Sequence, residues 1–123
     1  MIHSPGFLKM VDKARPGVAE VDIAEAKRKL EANPETVLLD VREDSEWSKG
    51  HAAEALHLGR GVLERDIEKM FPDKNREMIM YCGGGYRSIM TAAAALEMGY
   101  KNVYSLAGGY KALVDSGWPM AKV

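Results

Sequence analysis

Residues 78–88 have the sequence MIMYCGGGYRS, in which one cysteine and three glycines separate an apolar run from an arginine. The apolar run from Met78 to Tyr81 is typical of a buried strand. The residues from about Ser88 to Met98 have apolar side chains at helical spacing and stop before Gly99, which predicts a helix. The segment Cys82 to Ser88, called the cysteine loop below, is therefore expected to connect a strand to the N-terminus of a helix.

The chemistry expected of the cysteine loop is anion binding beside a nucleophile. The first N–H groups of a helix lack partners and, together with the helix dipole, favour a thiolate at Cys82 over the thiol. The glycines permit positive φ and leave no side chains between these donors and a bound anion. The helix dipole disfavours a cation in the first turn, so a bound anion would explain the position of Arg87. We predict Cys82 as the catalytic nucleophile and, as substrate-binding residues, Gly83, Gly84, Gly85, Tyr86, Arg87 and Ser88.

The rest of the chain predicts strands that alternate with helices. Strands are expected at residues 18–21, 36–41, 55–58, 78–81 and 102–106. Helices are expected at residues 5–15, between residues 22 and 33, from residue 44 or 45 to 49, from residue 62 to near 72, and at residues 88–98 and 110–116. This alternation predicts an α/β fold with a mainly parallel sheet and helices on both faces. Ligands of such sheets bind at the carboxyl ends of the strands, where Cys82 and Asp40 are both expected.

Three local signals set the expected ends of elements. Asp22 and Glu25 have the spacing of a capping box at the start of a helix. Asp44 or Ser45 is expected to cap a short helix that Gly50 ends. The segment from Trp118 to Pro119 is expected to finish the domain.

Length and composition indicate one globular domain. The chain has 123 residues, 46% of them hydrophobic and 28% charged, with a formal net charge of −1. This charge predicts no nucleic-acid partner and no attraction to an anionic membrane. No apolar run approaches a membrane span, and no signal peptide is indicated, so we expect a cytoplasmic protein. Residues 1–19 are expected to form an N-terminal helical extension, and residues 20–123 the domain itself.

The cysteine and histidine content excludes several kinds of site. A single cysteine excludes an internal disulfide, a Cys-x-x-Cys redox pair and a thiolate zinc knuckle. His3, His51 and His57 do not have the spacing of metal ligands, so we predict no metal and no cofactor. His51 is expected to be a hydrogen-bonded structural residue.

Other charged residues are given structural interpretations. Asp40 and Arg42 are expected to form a buried polar network that supports the loops. A basic patch near the site is considered but not favoured, because acidic residues interleave with the basic ones and indicate a solvated helix face. The basic residues are Arg60, Arg65, Lys69, Lys74 and Arg76, and the acidic residues are Glu64, Asp66, Glu68 and Asp73.

These motifs, taken together, resemble those of the single-domain rhodanese family of sulfurtransferases over about residues 20 to 120. The resemblance rests on five segments in order. They are Leu39 to Glu43, Glu46-Trp47 with Gly50-His51, Arg60 to Glu64, the cysteine loop, and Leu106 to Gly109 with Gly117 to Pro119.

The resemblance implies a rhodanese-like, five-stranded sheet and a cysteine persulfide at Cys82. The cysteine loop would supply backbone donors, and Arg87 would contact the anionic sulfur donor. The implied activity transfers a sulfane sulfur from thiosulfate or a persulfide to cyanide, a thiol or a protein acceptor. The sequence does not indicate an oligomeric state.

Two alternatives are left open. One is a sulfur carrier or regulatory module that releases sulfur only to a protein partner. The other is a rhodanese-related phosphatase, which is less favoured because such phosphatases have a longer loop than the four residues between Cys82 and Arg87.

Overall fold

The protein folds as a five-stranded parallel sheet with helices on both faces. The computed structural model describes residues 3–122, and the strand order is β1-β6-β5-β2-β4. These strands are β1 (Ala19–Val21), β2 (Val37–Asp40), β4 (Leu56–His57), β5 (Met78–Tyr81) and β6 (Val103–Leu106), and a separate pair comprises β3 (His51–Ala52) and β7 (Met120–Ala121). The predicted α/β class is confirmed, and each of the five predicted strands is present within one residue of its expected ends.

Six α-helices are present in residues 3–122. They are α1 (Pro5–Ala14), α2 (Ile23–Ala32), α3 (Asp44–Trp47), α4 (Leu63–Met70), α5 (Arg87–Glu97) and α6 (Gly109–Asp115). Short 3-10 turns at Arg15–Gly17 and Arg60–Val62 follow α1 and precede α4. No helix among the described residues has both the length and the apolar character needed to cross a bilayer.

The sheet separates the hydrophobic core into two clusters, one on each of its faces. Alternate residues of a strand point to opposite faces of the sheet. Leu39 and Met80 therefore pack with α4 and α5 on one face, and Leu38 and Ile79 pack toward α2 and α6 on the other. Every residue of β2 and β5 is buried, which explains why both strands lack alternation, and the one charged residue in them, Asp40, pairs with Arg42.

The helix starts agree with the sequence in one case and differ in another. Asp22 and Glu25 form the predicted capping box of α2. For α3, the prediction that Asp44 or Ser45 provides the cap is wrong, because Glu43 is the N-cap and pairs with Glu46 in a capping box. The helix also ends at Trp47, two residues before the expected end.

A two-stranded antiparallel sheet was not predicted. Residues 120 and 121 form β7 and pair with His51–Ala52, so Trp118-Pro119 does not end the ordered chain. Two-residue strands have too few positions to show a periodic pattern.

Helix α1 lies against the domain. Val11 is fully buried in the same core cluster as Ile89 of α5, and Phe7 packs against that cluster. The N-terminal segment therefore contributes to the same core as the sheet.

Helix α6 approaches the cysteine loop through a glycine. Gly109 has φ of +55°, and a Cβ there would lie 2.9 Å from the Gly83 carbonyl oxygen and still closer to that of Cys82. This approach allows the Tyr110 N–H to donate to the Cys82 carbonyl at 2.7 Å and the Lys111 N–H to donate to the Gly83 carbonyl at 3.2 Å. The start of α6 thereby fixes the start of the cysteine loop.

We predict that Gly109→Ala lowers the free energy of unfolding by about 3 kcal/mol, because left-handed strain adds to overpacking against two carbonyls. Urea denaturation measures this change. Gly117→Ala is the matched control, because Gly117 has φ of +78° but open space around its Cβ position. The control should lose only about 1 kcal/mol, and equal losses in the two variants would contradict the steric explanation.

Candidate active site

Cys82 follows β5 directly and is only 1% exposed. Its Sγ accepts hydrogen bonds from the backbone N–H groups of Gly85 at 3.2 Å and Ser88 at 3.4 Å. The Ser88 hydroxyl lies 3.5 Å from Sγ and 2.7 Å from the Ser105 hydroxyl. The sulfur thus faces the N-terminus of α5, where the partial positive charge of the helix attracts an anion.

Further backbone donors belong to residues that line the cavity of Cys82. Among residues 3–122, no hydrogen-bond acceptor contacts the N–H groups of Gly83, Gly84, Tyr86 and Arg87. These four residues line the same cavity as Cys82. The cysteine loop can therefore bind negative charge beyond that of the sulfur itself.

Arg87 is already paired with a carboxylate. Its Nη1 and Nη2 donate to the two carboxylate oxygens of Glu46 at 2.6 and 3.0 Å. The position of Arg87 in the first turn of α5 is therefore explained by its pairing with Glu46, and a bound anion is not needed to account for it. Glu46 was missed as a site residue because α3 and α5 are brought together only by the tertiary fold.

The pair is electrostatically stable at neutral pH. Hydrogen bonds from Arg87 lower the pKa of Glu46, although partial burial acts in the opposite direction. The same hydrogen bonds, with the charge of Glu46, raise the pKa of Arg87. Both shifts favour the charged pair.

Asp40 and Arg42 form the predicted buried network at the end of β2. Arg42 donates from its backbone N–H and Nε to Asp40 Oδ1 at 2.9 and 3.1 Å, and from Nη2 to Oδ2 at 2.8 Å. The Asp40 and Arg42 side chains are 0% and 4% exposed. Nη2 also donates to the Gly50 carbonyl at 2.6 Å, and the guanidinium lies 4.1 Å from the centre of the Tyr110 ring in α6.

This network contacts the cysteine loop only indirectly. Within residues 3–122, neither Asp40 nor Arg42 hydrogen-bonds to a residue of the loop. Arg42 instead packs on Tyr110, whose N–H donates to the Cys82 carbonyl. Burial and the nearby Asp40 carboxylate raise the pKa of Tyr81, so its hydroxyl stays neutral and accepts a hydrogen bond from the Ala52 N–H.

The histidines lie apart from the sulfur or at the rim of its cavity. Nδ1 of His51 is 2.9 Å from the Ala52 carbonyl, which agrees with the predicted structural role. The ring of Trp47 stacks on that of His51, with 3.4 Å between centroids, and on that of His57, with 4.7 Å between centroids. His3 lines the cavity of Cys82 and contacts the ring of Tyr86. No group of three metal-binding side chains occurs in the described part of the chain.

The cavity in front of Cys82 has a volume of about 620 Å³. Besides the cysteine loop and Glu46, it is lined by His3, Phe7, Arg60 and Lys111. The sequence assigned none of these four to the site, although it considered Arg60 as part of a basic patch near it, and the structure places Arg60 in the lining of the cavity. A second cavity, of about 600 Å³, lies at the amino end of β2 beside Trp118 and contains no cysteine.

Comparisons with known proteins agree with this geometry. The family model of the rhodanese-like domain matches residues 22–116. A Bacillus subtilis (strain 168) protein named "Putative sulfurtransferase YtwF" is 35% identical over 95 residues, which cover 77% of this chain and 89% of that protein. Thiosulfate sulfurtransferase GlpE of Coxiella burnetii is 39% identical over 75 residues, covering 61% and 68% of the two chains.

A solved structure resembles nearly the whole chain. It is a Rhodopseudomonas palustris CGA009 protein described as of unknown function and a possible tyrosine phosphatase. The TM-score is 0.84 at 28% sequence identity, and the alignment covers 98% of both chains. The similarity therefore includes the region of α1, which precedes the residues matched by the family model.

We predict that Asp40→Asn lowers the free energy of unfolding by about 3–5 kcal/mol, because it leaves the buried Arg42 charge without its partner. Guanidinium denaturation measures the loss. The double variant Asp40→Leu/Arg42→Met removes both charges and should lose less than the single variant. A single variant within about 0.5 kcal/mol of the native protein would show that the pair is not buried as described.

Glu46 should give a pH-dependent contribution to stability. Its pKa is lowered in the folded state, so its stabilisation is complete above the unfolded-state pKa of about 4.3 and is lost as the pH falls through the lower folded value. The carboxylate is 35% exposed, so solvent screening limits the effect. Glu46→Gln should therefore cost about 1 kcal/mol at pH 7, and the difference from the native protein should shrink as the pH falls below about 4.3.

Urea denaturation at pH 7, 4.5 and 3 measures this difference. Asp115→Asn is the matched control, because the Lys111–Asp115 pair is 81% and 65% exposed. The control should lose less than about 0.5 kcal/mol at each pH. A loss for Glu46→Gln that does not change with pH would contradict an ionic contribution.

Proposed function

The chain belongs to the rhodanese-like domain family, and from this premise we propose that it is a sulfurtransferase that carries sulfur as a persulfide on Cys82. The observation that carries the proposal is the position of Sγ, which receives the N–H groups of Gly85 and Ser88 at the N-terminus of α5. The sulfurtransferase names of the Bacillus and Coxiella relatives support the same reaction class.

The first half-reaction loads the cysteine. The Cys82 thiolate attacks the outer sulfur of thiosulfate or of an organic persulfide. An S–S bond forms to Cys82, the original S–S bond breaks, and its electron pair leaves on sulfite or on the donor thiolate. Both leaving groups are stable anions, so this step needs no general acid. The absence of His51 and His57 from the lining of the described cavity is therefore compatible with the reaction.

The cysteine loop stabilises the product of this step. The transferred sulfur carries negative charge as a terminal persulfide. The N–H groups of Gly83, Gly84, Tyr86 and Arg87 have no acceptor among residues 3–122, so they are available to this charge. Donors fixed in place before the reaction stabilise developing charge without reorganisation.

The second half-reaction returns the cysteine to its initial state. An acceptor thiolate, or cyanide, attacks the terminal sulfur, and the bond to Sγ breaks with its electron pair returning to Cys82. Since Cys82 is the only cysteine in the chain, no internal thiol can remove the sulfur. The acceptor must come from outside, as a small thiol or a protein.

A phosphatase is the second candidate, because the Rhodopseudomonas neighbour is described as a possible tyrosine phosphatase. Two features favour sulfur transfer instead. The loop has four residues between Cys82 and Arg87, fewer than the phosphatase-type loop. Arg87 also donates from both terminal nitrogens, Nη1 and Nη2, to Glu46, so a phosphoryl group would have to displace Glu46 to bind that fork.

A sulfur carrier that serves one protein partner shares the loading step and differs only in the acceptor. It is distinguished by fast loading of Cys82 together with slow release to small thiols.

We predict that incubation with thiosulfate adds the mass of one sulfur atom to the intact protein, and that cyanide removes it and yields thiocyanate. Mass spectrometry and a thiocyanate assay measure the two steps. Cys82→Ser should gain no sulfur, because its hydroxyl cannot form the persulfide. Ser48→Ala, an exposed change far from the loop in sequence, should load like the native protein. If neither thiosulfate nor an organic persulfide loads the native protein, the proposed function is wrong.

A further inference from the structure

The cavity of Cys82 is larger than a small inorganic donor requires. Its volume of about 620 Å³ lies within the range of about 300–1,000 Å³ that is usual for sites of organic ligands. Thiosulfate has only five heavy atoms and would fill a small part of it. The remaining space is available to the body of a larger molecule that exchanges sulfur with Cys82.

One side of this cavity is aromatic. The ring centroid of His3 lies 4.5 Å from that of Tyr86 and 5.3 Å from that of Phe7. These three residues, called the aromatic wall below, line the same cavity as Cys82. His3 and Phe7 precede residues 22–116, so they lie outside the segment that the family model matches.

The positive charge that remains in the cavity is not on the cysteine loop. Arg87 is neutralised by Glu46. Arg60 also lines the cavity, and no carboxylate within residues 3–122 lies within salt-bridge distance of it. A ligand with an apolar group for the aromatic wall and an anionic group for Arg60 would satisfy both features.

We propose that the aromatic wall selects the sulfur acceptor, and that this acceptor is an organic thiol with an apolar group near its sulfur and a carboxylate. The inference rests on the proposed sulfurtransferase function. The acceptor thiolate attacks the terminal sulfur of the Cys82 persulfide, an S–S bond forms on the acceptor, and the bond to Sγ breaks with its electrons remaining on Cys82. The products are the organic persulfide and the Cys82 thiolate, with the total charge unchanged.

The test compares two acceptors that differ only in the apolar group. They are 3-mercaptopropionate and 2-benzyl-3-mercaptopropionate, which share a primary thiol and a carboxylate. The protein is first loaded with sulfur, and the loss of one sulfur atom from its intact mass is then followed with each acceptor. For the native protein we expect the benzyl compound to react about tenfold faster at subsaturating concentration, as is typical for filling an apolar pocket.

Variants of the wall should reduce this preference. Phe7→Ala removes the largest apolar side chain that α1 contributes to the cavity and should lower the rate ratio to about twofold. His3→Ala removes a ring that is not part of the packed core and should lower the ratio in the same direction. Met10→Ala is the matched control on α1, because Met10 is 52% exposed and does not line the cavity, so the ratio should stay near ten.

The possible outcomes separate the two proposals. Failure of the native protein to load sulfur from any donor overturns the proposed function. Normal loading with equal rates for the two acceptors overturns only the role of the wall. A tenfold preference that persists in both Phe7→Ala and His3→Ala also overturns only the role of the wall. Because each ratio is measured within one variant, a general loss of loaded protein does not change it.

Discussion

The site depends on the close contact between the start of α6 and the end of β5. Gly109 has no Cβ, so the N–H groups of Tyr110 and Lys111 reach the carbonyls of Cys82 and Gly83. With its carbonyls held by α6, the loop can direct its own N–H groups inward, and those of Gly85 and Ser88 reach Sγ. The buried Asp40–Arg42 pair supports the same contact from behind, because Arg42 packs on the ring of Tyr110. Backbone contacts between α6 and the end of β5 therefore help to fix the position of Sγ, with support from the Arg42 side chain.

The distribution of charge in the site supports the proposed sulfur transfer over phosphoryl transfer. Arg87 is the one cationic residue of the cysteine loop, yet Glu46 accepts hydrogen bonds from both of its terminal nitrogens, Nη1 and Nη2. What remains at the loop is the partial charge of backbone donors, which suits one terminal sulfur with a single negative charge. A dianionic phosphoryl group would need the full charge of the guanidinium and would have to displace Glu46. The Arg87–Glu46 pair therefore joins the cysteine loop to α3 and leaves the Arg87 charge already neutralised.

The sequence predicted the parts of the structure that depend on neighbouring residues. The apolar run of β5, the glycines after Cys82 and the capping box at Asp22 are local signals, and each appears in the structure. The pairing of Glu46 with Arg87 joins residues 41 positions apart, and no local pattern indicates it. The N-cap at Glu43 was missed because aspartate and serine are the residues usually preferred at N-caps, and Asp44 and Ser45 follow directly. The entry of His3 and Phe7 into the cavity depends on how α1 packs on α5, which the periodicity of α1 does not determine.

The proposed reaction and the proposed selection of the acceptor depend on different parts of the chain. Cys82 and the backbone donors to its Sγ lie within residues 22–116, and their geometry is set by β5, α5 and α6. Two members of the aromatic wall come from the segment before that domain, and only Tyr86 belongs to both parts. Because α1 packs on α5 rather than on the loop carbonyls, changes in its side chains can alter the cavity while the hydrogen bonds to Sγ are kept. On the proposed function, substitutions in α1 would therefore change which acceptor is preferred without changing how the sulfur is held on Cys82.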